Sequence, residues 1–296
     1  MNLKDLKYFI AVAETGHFGR AAAQCFVSQP TLSMQLKKLE KELGVPLFER
    51  NNKRVLLTQT GEQLLQQAKR VLFETDRLTE MAKAVINPLG GTLRLGVIPT
   101  ISPYLLPLVT RHITKAYPDL TLLIEERQTH VLMEMLQQGS LDCGILALPL
   151  EPAPILQLKL YQEHFVLAVS KHNPLAKDKT VTMKALDQQA LLLLEEGHCL
   201  REQTLNFCNR IAIHERQDFR GTSLETLRQM VAANAGVTVL PQLAATQNYP
   251  DIKIIPFTAP QPYRDVVLIC RDTFSRLNLL KGIQSIIQQE VKRYLK

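Results

Sequence analysis

Apolar residues recur at helical spacing from the start of the chain. Leu3 to Glu14 reads as a first helix, Phe18 to Cys25 as a short Ala-rich second one, and Ser28 opens a third with Pro30 in its first turn. In that third helix Leu32, Leu36, Leu39 and Leu43 fall at i, i+4, i+7 and i+11. Such a stripe must face a core, which turns Gln29, Pro30, Ser33, Lys37 and Lys41 outward. Two short helices, a tight turn and an N-capped polar third helix make a helix-turn-helix, whose second helix enters the DNA major groove. Phe48 to Leu57 then reads as a short hairpin with Arg50, Lys53 and Arg54 at its turn, a wing suited to phosphate contact.

The period changes after Thr58. Leu64, Ala68, Val71, Thr75, Leu78, Ala82 and Val85 repeat in alternating steps of four and three, the a/d seam of a helix pair. This predicts a linker helix over 59–87 that dimerises with a second copy; the alternative is an amphipathic helix packed on its own domain. Asn87 to Gly91 is a breaker cluster fit for a hinge. Beyond it strands alternate with helices: Thr92–Ile98, a helix through Tyr117, Thr121–Glu126, a helix near Thr129–Gln138 and Cys143–Leu148. That alternation argues a parallel α/β sheet. Similar elements recur over about 163–268, with strands near Phe165–Val169, Ala190–Leu194 and Gly236–Leu240, and a terminal helix over 275–295 covers one sheet. The expected organisation is α + α/β: a winged helix-turn-helix (1–58), a linker helix (59–87) and a two-lobed α/β effector domain (88–296). Its first lobe spans about 92–161 and 269–296, its second about 162–268. A cleft between two such lobes is a usual place for a small effector.

Charge sharpens this division. Lys and Arg number 35 against 28 Asp and Glu, a formal +7. Residues 1–58 hold nine basic and five acidic residues, 281–296 hold four and one, and 59–280 balance to zero. The basic excess thus sits partly where a groove-reading helix needs it. An apolar content of 46% is enough for ordinary cores and excludes a disordered chain. The longest apolar runs, such as Ala190–Leu194 and Val266–Cys270, fall far below the ~18 residues of a membrane span. Phe9–Ala13 is too short for a secretory core, so a cytoplasmic protein without membrane contact is expected. Five scattered cysteines, with no C-x-x-C pair, predict neither a disulfide scaffold nor a structural zinc site. Neither a phosphate-cradling glycine loop nor H-E-x-x-H is present, so no cofactor, no metal and no common catalytic route is expected.

Phe9 to Arg50, followed by Leu57-Thr-Gln-Thr-Gly-Glu62, closely resembles the DNA-binding domain of LysR-type transcriptional regulators. The family plan is a winged helix-turn-helix, a dimerising linker helix and a two-lobed domain like periplasmic binding proteins. Leu193 to Cys208, followed by Thr222 to Arg228, resembles the hydrogen-peroxide-sensing branch of that family. The resemblance implies a redox pair, Cys199 and Cys208, and a peroxide pocket lined by Thr100 and Thr129. It further implies a homotetramer built as a dimer of dimers, double-stranded DNA and RNA polymerase as partners, activation of antioxidant genes, and a thiol reductant such as glutaredoxin or thioredoxin. One departure is Asp218, where the resemblance leads one to expect histidine.

Residue chemistry bears on these roles. Cys25, Cys143 and Cys270 sit in apolar surroundings and read as small buried hydrophobes. Cys199 follows His198, precedes Arg201 and lies near a helix start, where positive charge and the helix dipole favour the thiolate. A thiolate attacks peroxide to give a sulfenic acid that a second thiol converts to a disulfide. If 199–208 is helical, its ends lie roughly 13.5 Å apart, whereas a disulfide tolerates less than about 7 Å between Cα atoms. The bond would then require that helix to melt. His198 is either a satisfied core imidazole or a group that places peroxide beside Cys199, with Arg201 completing the pocket. Thr100 and Thr129 are equally suited to capping helices. Ser28, Gln29, Pro30, Thr31, Ser33 and Gln35 are the expected groove contacts, with Arg50 and Arg54 on phosphates. Two rivals remain: a regulator that senses an organic metabolite in the interlobe cleft, and a thiol peroxidase.

Overall fold

The structure, a computed structural model, describes residues 1–49, 55–187, 189–208, 214–246 and 249–295, with the backbone alone in parts of some helices and strands. The chain divides into two compact units, Met1–Val85 and Ile86–Lys296.

The first unit is helical. Helix α1 (Leu3–Thr15) starts on a capping box in which Asn2 and Asp5 exchange side-chain and backbone bonds, and it stops at Gly16 in the left-handed conformation. Helix α2 (Phe18–Gln24) is capped by His17, whose Nδ1 accepts from the Gly19 and Arg20 N–H groups. Helix α3 (Gln29–Leu43) is capped by Ser28 on the Thr31 N–H and carries Pro30 in its first turn. Leu32, Leu36 and Leu39 are buried with Phe9, Val12 and Ala21. Leu43 is not: at the last turn of α3 it is 36% exposed, because the chain leaves at Gly44 before the core reaches it. The base of the wing hairpin is present, with Phe48 bridged to Leu57 and the Glu49 N–H donating to Leu56 O. Glu40 Oε1 accepts from the Leu47 and Phe48 N–H groups and pins that base to α3. Helix α4 (Gln59–Ile86) packs Leu64, Leu65, Ala68 and Leu72 on the same core. The expected seam therefore splits: Leu64 and Ala68 serve their own domain, while Val71 (46%) and Leu78 (71%) are exposed.

The second unit alternates strands and helices: β1 (Gly91–Val97), α5 (Ser102–Ala116), β2 (Leu120–Glu126), α6 (Thr129–Gln138), β3 (Cys143–Ala147) and β4 (Ile155–Ser170). β5 (Ala190–Leu194), α7 (Cys199–Cys208), β6 (His214–Gly221), α8 (Leu224–Ala232), β7 (Thr238–Pro241), β8 (Ile252–Pro256), β9 (Tyr263–Arg271) and α9 (Leu277–Val291) follow. The main sheet runs β2-β1-β3-β9-β4-β7, with β8 also on β4. It is mixed rather than parallel. β1 pairs parallel with β2 and β3, but β9 and β4 pair antiparallel because the chain leaves the first lobe along β4 and returns along β9. The residues of β4 up to His164 pair with β9, and Phe165 onward with β7 and β8. One strand thus serves two cores. The first core gathers β1, β3, β9, α5 and α9; the second gathers the end of β4, β5, β7, α7 and α8. Val266–Leu268 already lie in the first. The breaker cluster forms a turn held to this unit by the Gly91 N–H on Asp119 O and by Arg276 on the Gly90 and Thr92 carbonyls.

Candidate functional site

In the first unit the exposed start of α3 presents Ser28, Gln29, Pro30 and Thr31, with Ser33 and Gln35 half-exposed. Ser28 Oγ and Thr31 Oγ1 lie 2.7 Å apart, so the cap and its neighbour form one polar edge at the helix N-terminus. Burial of Leu32, Leu36 and Leu39 leaves that edge no option but to face outward. Arg50 and Arg54 lie outside the described residues.

In the second unit Thr129 begins α6 and Cys199 begins α7, and both line one cavity of about 440 Å³. The same cavity is bounded by Met133, the 149–153 link, Gly197 and Glu202. Gly197 adopts φ +90°, and a side chain on it would collide with Gln128. Neither threonine caps a helix: the α5 cap is Ile101 and the α6 cap Gln128, both without a side-chain bond. Thr100 is buried and accepts twice from Arg264, on its hydroxyl from Nη1 at 3.0 Å and on its carbonyl from Nη2 at 3.1 Å. Arg264 also donates from Nε to Glu163 Oε1 at 2.8 Å, and Glu163 Oε2 accepts the Leu243 N–H at 3.0 Å. The buried Thr129 hydroxyl has no partner at hydrogen-bonding geometry among the described residues, yet it lies close enough to the Cys199 sulfur to affect its proton.

Burial pushes the Cys199 thiol above its ordinary value, and Glu202 adds to the rise; the Arg264 guanidinium and the Thr129 hydroxyl pull it back without cancelling it. The expected thiolate-favouring surroundings are thus corrected in the resting state. The nearby cation is Arg264, which is already paired with Glu163, and desolvation outweighs it. Arg201 Nη1 instead donates to Leu194 O at 3.3 Å. His198 is buried with Nε2 3.9 Å from Glu195, and burial holds its imidazole below the ordinary value against that carboxylate. Neither side chain lines the cavity.

Helix α7 spans Cys199 to Cys208, which sets their Cα atoms roughly 13.5 Å apart at 1.5 Å per residue. Leu200 packs into the second core, Phe207 lies 5.1 Å from Phe165 between ring centres, and Gln203 Nε2 donates to Leu148 O of the first lobe at 2.7 Å. Ten residues that include Thr204, Asn206 and two cysteines would not hold a helix alone, so these contacts maintain it. The side chains of Cys208 and Asp218 lie outside the described residues. Among the described residues no three His, Cys, Asp or Glu side chains gather to hold a metal, and no helix is long and apolar enough to cross a membrane. Sequence patterning had no signal for Glu163, Gln203 or Arg264: each stands beside other polar residues in the chain, and nothing local marks it as one the fold buries.

An exposed, capped recognition helix in one unit and a two-lobed effector unit in the other define a ligand-responsive DNA-binding regulator. Residues 3–62 match the bacterial regulatory helix-turn-helix family of LysR type, and residues 87–290 match the LysR substrate binding domain. The chain therefore belongs to the LysR family of transcriptional regulators and is not an enzyme. It is 43% identical over 297 residues to the hydrogen peroxide-inducible genes activator of Haemophilus influenzae, covering 100% of this chain and 99% of that protein. It is 45% identical over 273 residues to the DNA-binding transcriptional dual regulator OxyR of Escherichia coli, covering 92% and 90%. Among solved structures, a full-length OxyR from Pseudomonas aeruginosa carrying a cysteine-to-aspartate substitution superposes with a TM-score of 0.76 at 39% identity, over 97% of this chain and 98% of that one.

Proposed function

We propose that this regulator activates oxidative-stress genes when hydrogen peroxide oxidises Cys199 and a disulfide to Cys208 follows. The observation that carries the reading is α7 itself, with one cysteine at each end and the first lining a cavity together with Thr129. Relatives named for peroxide-inducible gene activation, alike over the whole chain, support it. Peroxide enters near Thr129; the Cys199 thiolate attacks one oxygen to give a sulfenic acid, and Cys208 displaces hydroxide to close the disulfide. Closure from roughly 13.5 Å to less than about 7 Å unwinds α7. Unwinding releases Gln203 from Leu148 and Leu200 from the second core, so the oxidised lobes repack.

Output passes through DNA held by Ser28, Gln29, Pro30, Thr31, Ser33 and Gln35 at the groove and by Arg50 and Arg54 on phosphates. The exposed Val71 and Leu78 on α4 favour a homodimer through the linker helix, assembling further as a dimer of dimers. RNA polymerase is the partner for activation, and a cytoplasmic thiol reductant, glutaredoxin or thioredoxin, resets the disulfide. A cavity of about 440 Å³ exceeds what peroxide needs, which favours a second reading in which a small metabolite binds there. DNA footprinting of the purified chain with and without peroxide, and no metabolite added, separates the two. A changed footprint accompanied by a 199–208 link in mass spectra is expected; free thiols at both positions with an unchanged footprint would sink the redox reading.

A further inference from the structure

Cys143 and Cys270 are cysteines for which peroxide sensing at α7 has no use. Both are free thiols at 0% exposure in the core of the first lobe. They lie on β3 and β9, which pair antiparallel in unbroken register with Cys143 opposite Cys270. Opposed residues of such a pair point to the same face of the sheet. Along an antiparallel ladder, opposed pairs alternate between hydrogen-bonded and non-hydrogen-bonded types. The Leu148 N–H donates to Asp265 O at 2.9 Å, so Leu148 and Asp265 form a hydrogen-bonded pair, one step beyond the Ala147–Val266 pair. Stepping back along the register to Cys143 and Cys270 is an odd number of alternations. Theirs is therefore a non-hydrogen-bonded pair, the type in which Cα atoms approach to about 4.5 Å and side chains come closest. That lies inside the ~4.4–6.8 Å window for a disulfide. The ends of α7 must unwind a helix to meet; these two are already opposed.

We infer that Cys143 and Cys270 form a second, latent dithiol, which hydrogen peroxide oxidises to a cross-strand disulfide without refolding the lobe. In the first step the Cys270 thiolate attacks a peroxide oxygen and the O–O bond breaks. The sulfur becomes a sulfenic acid, and the departing hydroxide takes up the proton the thiol had lost and leaves as water. In the second step the Cys143 sulfur displaces hydroxide from the sulfenic sulfur, and the Cys143 proton leaves with it as a second water. Two thiols give up two electrons, and one peroxide becomes two waters. Burial raises both thiols and excludes the oxidant, so the reaction waits on local opening of the β3–β9 ladder and runs behind Cys199. The tether joins two strands that position the α7 site: β9 carries Arg264, and β3 runs into Leu148, whose carbonyl holds Gln203.

The test uses the full chain in a hydrogen peroxide time course, quenched with acid, alkylated under denaturing conditions and digested without reduction for mass spectrometry. A 143–270 cross-link is expected, forming at least about tenfold more slowly than Cys199 is modified. It should vanish on reduction and be absent from Cys270→Val, in which Cys143 remains alkylatable. Thiols at 143 and 270 that stay alkylatable when peroxide exposure is carried roughly a hundredfold beyond the time that fully oxidises Cys199 would overturn the inference, as would links from either to another cysteine. A 143–270 link without a 199–208 link would leave this inference standing and remove the sensing reading; the reverse result would do the opposite.

Discussion

Arg264 stands with Thr100 on one side and Glu163 on the other, and replacing it with Met isolates the physics of that cluster. Both side chains of the ion pair are buried, at 1% and 0% exposure. Arg264→Met removes the donors at 2.8 Å to Glu163 and at 3.0 and 3.1 Å to Thr100, leaving the Leu243 N–H as the described partner of a carboxylate sealed from water. Breaking a buried pair from one side costs about 3–5 kcal/mol, because the surviving charge is uncompensated. At roughly 2–4 °C per kcal/mol for a unit of this size, Tm should fall by about 6–20 °C in a thermal melt followed by near-UV circular dichroism. The double variant Glu163→Gln/Arg264→Met should recover at least half of that loss, since the Gln oxygen still accepts from Leu243 and no charge is stranded. A double variant as unstable as the single one would refute the stranded-charge reasoning and leave packing as the cause. The same substitution removes an influence that lowers the Cys199 thiol, so the pH profile of Cys199 alkylation should move to higher pH.

Two further outcomes follow from close contacts and burial. A Cβ on Gly61 would lie 2.2 Å from Leu47 O, a backbone atom at the wing base, so Gly61→Ala should cost about 1–3 kcal/mol in urea unfolding of the DNA-binding unit; an unchanged midpoint would contradict that contact. His198 is held below its ordinary value of 6.5, chiefly by burial; the stability it contributes is present above 6.5 and lost as pH falls through the lowered value. Stability should therefore decline less on acidification in His198→Gln than in the parent chain, and parallel declines would place the imidazole in water in both states.

The helices of the DNA-binding unit were legible because their evidence is local. Leu32, Leu36 and Leu39 lie within two turns of one another, and a helix brings such residues to one face whatever surrounds it. Ser28 and Gly44 mark the ends of α3 by chemistry that acts within a turn. Leu43 obeys the same periodicity and is exposed, because where a core ends is not a property of the stripe. The first three strands were legible for the same local reason. The antiparallel return through β4 and β9 was not: alternation of strands and helices is the same whether the chain stays in one lobe or crosses twice. Cys199 could be singled out from the residues around it and Cys208 through the family resemblance, and their helical separation follows from counting. The direction of the Cys199 shift depended on tertiary burial and on Arg264, 65 residues further along the chain, being already engaged by Glu163. Cys143 and Cys270 likewise look like two scattered hydrophobes until the register places them opposite one another. Periodicity and capping reach over a few residues, so the sequence alone determined the helices of the first unit and the first strands of the second, and its motifs the family. Charge pairing, desolvation and strand register depend on distances through space, and only the tertiary structure decided those.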